Sequence, residues 1–60
     1  MPLNNVDLRA AAKDLIYGYG DAAEREAQER RTKAHSAGLK ITAIFWQKVQ
    51  AIVVKMQADS

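Results

Sequence analysis

The sequence predicts an all-α domain of three short helices, about 6–19, 21–37 and 39–57, the last two folded as an antiparallel hairpin. Three observations carry that expectation. Apolar residues recur at helical spacing at both ends of the chain, the middle is dense in strong helix formers, and glycines punctuate the pattern at 18, 20 and 38.

The first helix starts after Asn5, a good N-cap, with Asp7 favourable in the first turn. Leu8, Ala11, Ala12, Leu15, Ile16 and Tyr19 then share one face, with Arg9 and Lys13 on the other side. Gly18 and Gly20 end it, since a glycine inside a helix costs about 1 kcal/mol relative to alanine.

Asp21 with Glu24 three residues later has the form of a capping box and marks the second helix. Its apolar stripe is all alanine, at 23, 27, 34 and 37, with the stem of Arg30 filling the gap. Four i, i+4 pairs are expected along it: Asp21–Arg25, Arg25–Glu29, Glu26–Arg30 and Glu29–Lys33. Each adds roughly 0.2–0.5 kcal/mol to an exposed helix. An alanine stripe lets a neighbouring backbone approach closely but supplies little hydrophobic energy of its own.

Gly38 suits the C′ position that ends such a helix. In the third helix Ile41, Phe45, Val49, Ile52 and Met56 form the centre of a face that Trp46 and Val53 widen. Ile44, Val54, Ala43 and Ala51 fall outside it, among lysines and glutamines. The predicted core is Leu8, Leu15, Tyr19, Ile41, Phe45, Trp46, Val49, Ile52, Val53 and Met56, with Ala23, Ala27 and Ala34 where the second helix approaches closest. One alternative stays open: the helical phase also continues through Gly38, so that residues 21–57 could be one long helix covered by an antiparallel partner. Whether the first helix packs on its own hairpin or on a neighbour's is open too.

Sixty residues make a single domain, 1–60, of a size that is marginal alone. With no cysteine and one histidine, neither a disulfide nor a structural zinc site is expected, which leaves association as the means of completing the core. A homodimer is the expected state. The start of the chain has neither the basic residues nor the apolar run of an export signal, and the apolar runs 43–46 and 51–54 are far short of a span. A cytoplasmic protein is expected.

No constellation points to an enzyme or to a small-molecule substrate, and no catalytic, cofactor-binding or metal-binding residue is assigned. His35 has no carboxylate at i±3 or i±4, and Ser36 beside it points elsewhere on a helix. Tyr17-Gly18-Tyr19-Gly20 before a helix start has the outline of a phosphate loop, but no lysine accompanies it and Asp21 stands where the phosphate would sit. The expected function is a small non-enzymatic protein-interaction module, associating with itself or another protein through the apolar face of the C-terminal helix. Its contact residues are Ile44, Trp46, Val53 and Val54, with Tyr17. The alternative is a nucleic-acid-binding module using the basic stretch Arg30–Lys40, with Arg25, Arg30, Arg31, Lys33 and Lys40 on phosphates.

Tyr19-Gly20-Asp21-x-Ala23, then Ala27, Arg30, Ala34 and Gly38, and Trp46-x-x-Val49-x-Ala51-Ile52, together resemble a group of small alphaproteobacterial helical proteins classed as domains of unknown function. The similarity covers about residues 15–53. It implies a bacterial helical hairpin and carries no activity, cofactor or site. Where that group would have Gly-Asp at the second turn, this chain has Gly38-Leu39, which removes a capping aspartate before the third helix.

Overall fold

The computed structural model describes residues 5–59, with the side chain of Asn5 also outside the description. The chain forms α1 (Asn5–Tyr19), a 3-10 turn (Gly20–Ala22), α2 (Ala23–Ser36) and α3 (Lys40–Ala58), and no strand occurs among the described residues. Among the described residues no helix is long and apolar enough to cross a membrane. The N-cap expected at Asn5 lies outside the described side chains.

The second junction decides between the hairpin and the long helix. Gly38 has φ +77°, and the Gly38 and Leu39 N–H groups donate to the carbonyls of His35 and Ala34 at 3.1 and 2.8 Å. This crossed pair of bonds is a Schellman motif. It terminates α2 and turns the chain back. Gly20 marks the first junction in the same way, with φ +55°.

Contacts along the two legs fix the register of the hairpin. Gln57 Nε2 donates to the Gly20 carbonyl at 2.8 Å, and the Arg30 guanidinium lies 4.9 Å from the centre of the Trp46 ring. Pairs whose numbers sum to about 77 are therefore level, which brings Ala34 level with Ala43; both are buried. Two alanines at this level allow the close approach that bulkier side chains would block.

The first helix packs on its own hairpin. Leu8, Ala12 and Leu15 join Ala23, Ala27, Val49 and Val53 in one buried cluster, and Phe45, Trp46, Ile52 and Met56 pack against it from its edge. The core therefore closes within one chain. It is a small core: Val49 and Val53 are its largest fully buried side chains.

Four expectations are corrected. Asp21 does not cap α2: the residue before α2 is Ala22, no side-chain cap bond is made there, and a 3-10 turn replaces the capping box. Tyr19 and Ile41 are 47% and 69% exposed, because each lies on a helix terminus that extends past its neighbours' cover. Ala43 is buried, because the core face of α3 is rotated toward Val53 and Ala43, the side that α2 approaches. Of the four predicted ion pairs, Glu26–Arg30 alone closes among the described residues. The other three lie on solvated helix surface, where such pairs contribute little.

Candidate interaction surfaces

Arg30 lies within the alanine stripe of α2, on the side turned toward the core, so its charge must be satisfied locally. Its Nε donates to Glu26 Oε2 at 2.8 Å. The guanidinium lies over the Trp46 ring at 4.9 Å and over the Tyr19 ring at 6.0 Å. The hydrogen bond to Glu26 raises the Arg30 pKa, against the opposing effect of partial burial. Phe45 meets Trp46 edge to face at 5.1 Å. Arg30, Glu26, Tyr19 and Trp46 thus form a closed lateral seam, and Arg30 is held in the fold instead of being presented to phosphate.

The five cations proposed for nucleic acid are consequently not brought together. Residues 25, 30, 31 and 33 are spread around α2 by the helical step of about 100°. Arg31 and Lys40 meet in one groove, while Arg25 and Lys33 border a second, shallower depression that also contains Glu29.

The five predicted partner residues also divide. Val53 is fully buried, so it is core and not contact surface. Trp46 is half-buried under Arg30. Tyr17 is 96% exposed, and Ile44 and Val54 are each 44% exposed. Ile44 and Val54 are separated by about 15 Å of helix rise, so they do not form one patch. Leu39 and Ile41 are exposed as well, within one and a half turns of Ile44. The larger apolar surface is therefore at the start of α3, by the hairpin turn.

Beside it runs a groove of about 540 Å³ between the last turns of α2 and the first turns of α3. Arg31, Thr32, His35 and Ser36 line one side, and Lys40, Ala43, Ile44 and Gln47 the other. Two cations and an imidazole thus face the groove across a floor of Ala43 and Ile44, and no carboxylate lines it. One sequence signal accompanies the groove: no Asp or Glu occurs between Glu29 and Asp59, a stretch that holds Arg30, Arg31, Lys33, Lys40, Lys48 and Lys55. Dividing the chain at its glycines masks this run, because Glu24, Glu26 and Glu29 are then counted with the arginines of the same helix.

Among the described residues no group of three His, Cys, Asp or Glu side chains is placed to hold a metal ion. No family model, curated protein or solved structure matches the chain.

Proposed function

We propose that the chain is a small non-enzymatic interaction module that associates through the apolar surface at the hairpin end, Leu39, Ile41 and Ile44. One observation carries this reading. Although the core closes within one chain, these three large side chains stay exposed within six residues of each other, at 53%, 69% and 44%. Single exposed apolar side chains are ordinary, whereas several close together in sequence at one end of a hairpin support a surface that a partner could cover. Ile41 and Ile44 are neighbours at i, i+3, so their side chains form a continuous strip.

The test is solution mass by sedimentation over a concentration series, for the native chain and for a variant with Leu39, Ile41 and Ile44 replaced by serine. Reversible association of the native chain that the variant lacks is the expected result. A native chain that stays monomeric at every concentration and salt would remove the self-associating form of the reading.

A second reading keeps one specific observation. The carboxylate-free stretch between Glu29 and Asp59 supports nucleic-acid binding through Arg31, Lys33, Lys40, Lys48 and Lys55. Fluorescence anisotropy with duplex and single-stranded probes tests it. Binding has to fall steeply with added salt, in proportion to the phosphates neutralised.

A further inference from the structure

Side-chain charge is sorted along the hairpin, and the sorting coincides with the exposed apolar residues. On α1, Asp7 is matched in number by Arg9 and Asp14 by Lys13, so this helix adds no net charge. Arg30 is neutralised by Glu26, and the hairpin register sets Lys48 level with Glu29. At the open end Asp21, Glu24 and Asp59 outnumber Arg25 and Lys55 by one. Arg31, Lys33 and Lys40 remain, all at the hairpin end. The net charge of +2 is thus three positive charges at the turn against one negative charge at the far end.

Leu39, Ile41 and Ile44 are exposed among these cations, and Lys33 is level with Ile44. Their directions matter as much as their number. Two residues along a helix turn by about 200°, so Leu39, the N-cap of α3, and Ile41 leave nearly opposite sides of its axis. A flat protein face would cover one side of this tip and leave the other in water. Nucleic acid would satisfy the cations and leave the apolar side chains uncovered. A lipid interface surrounds whatever enters it.

We propose that the hairpin end inserts into the surface of an anionic bilayer. Leu39, Ile41 and Ile44 enter the headgroup and upper acyl region, and Arg31, Lys33 and Lys40 meet the anionic headgroups. From Leu39 to Ile44 the helix rises about 7.5 Å, within the depth of about 5–10 Å at which interfacial apolar faces are buried. Lys40 lies between the apolar residues, and its stem is long enough to return the ammonium to the headgroups. The turn can enter without leaving these donors bare, because the Gly38 and Leu39 N–H groups already donate to the His35 and Ala34 carbonyls. Apolar burial and attraction to anionic lipid add in such a contact, and each cation near the surface strengthens it roughly fivefold. This inference rests on the interaction-module reading above and names its partner.

The test is cosedimentation of the full chain with vesicles of phosphatidylcholine alone and of phosphatidylcholine mixed with phosphatidylserine. Binding is expected to the mixed vesicles only, and it should weaken with added salt. Two variants, each checked for helicity by circular dichroism, separate the contributions: Arg31→Gln with Lys33→Gln and Lys40→Gln, and Leu39→Ser with Ile41→Ser and Ile44→Ser. None of the six side chains belongs to the buried core, and each variant should bind at least tenfold more weakly. Insertion is read directly, because the chain has no cysteine of its own. An environment-sensitive fluorophore on Ile41→Cys should shift to the blue on the mixed vesicles, and the same label on Ala58→Cys, at the far end of α3, should not. Absence of binding to the mixed vesicles overturns the proposal. So does a shift at both labels or at neither, or binding that the serine variant retains in full. A chain that binds a DNA probe but not the vesicles overturns it in favour of the nucleic-acid reading. Failure on vesicles with self-association intact in sedimentation overturns it too, while leaving the interaction-module reading standing.

Discussion

Replacing Gly38 with alanine puts the hairpin to a test in which the sign of the result is informative. At φ +77° an L-residue sits in the left-handed region, which costs roughly 1–2 kcal/mol for a residue with a Cβ. A Cβ built at Gly38 meets nothing within 4 Å, so no steric clash adds to that backbone cost. Against it stands a gain of about 0.4–1 kcal/mol from the lower freedom of alanine in the unfolded chain. The net expectation is a loss of about 1 kcal/mol. Unfolding entropy of about 2.1 cal/mol/K per residue makes this a drop of roughly 8 °C in Tm for a chain of 60 residues.

A continuous helix through residue 38 predicts the opposite, because alanine is about 1 kcal/mol better than glycine inside a helix. The two outcomes are thus about 2 kcal/mol apart, well beyond the error of a thermal or urea melt. Circular dichroism in the helix band follows the transition. A rise in Tm for Gly38→Ala would refute the turn. Gly38→Asn, a residue that tolerates the left-handed region, should recover part of the loss.

Gly18 and Gly20 form an internal control two residues apart: Gly18→Ala, in the last turn of α1 with open space at its Cβ, should raise Tm by a few degrees, whereas Gly20→Ala, at φ +55°, should lower it. Ala27→Leu adds bulk at a fully buried position of close approach, and should cost about 1–3 kcal/mol in urea denaturation. Arg30→Ala removes the cover over Trp46, the single tryptophan, and should red-shift its fluorescence and cost about 1 kcal/mol, the scale of a partly exposed cation–π contact with a surface ion pair. An unshifted emission maximum would show that Arg30 does not rest on the ring in solution.

The helices and their breaks were legible because glycine, alanine and charge act locally. The stops at Gly20 and Gly38 follow from backbone sterics that depend on no neighbour, and the alanines at 23, 27 and 34 are buried as their spacing required. What was not legible depends on neighbours. The side of α3 that faces inward is set by where α1 and α2 both reach it, so size and periodicity favoured Ile41 while packing selected Ala43. Asp21 carried the signal of a cap, yet the 3-10 turn beginning at Gly20 left it outside the helix it would have capped. Among the site residues, Tyr17 and Ile44 were legible as exposed apolar positions, and the helical spacing of Val53 placed it on the core face, where it is buried. The groove itself joins residues 31–36 to 40–47, and it exists in sequence only once the turn between them is known.

The same alanine stripe that makes the hairpin close also limits how stable the fold can be. Alanine contributes little apolar area, so α2 is held largely by what α1 and α3 place against it, and the largest side chains fully withdrawn from water are two valines. At roughly 1.5–3 kcal/mol for each large side chain buried, such a core leaves a narrow margin over chain entropy. Meanwhile Tyr17, Leu39, Ile41 and Ile44 stay outside, where covering them adds apolar burial without ordering any further backbone. Association would therefore stabilise the folded chain by mass action, raising Tm with concentration as the occupied fraction of the surface grows. Stability and association become one measurement in such a chain. A Tm independent of concentration would mean that the small core suffices, and the exposed residues would then have to be explained by a partner other than the chain itself.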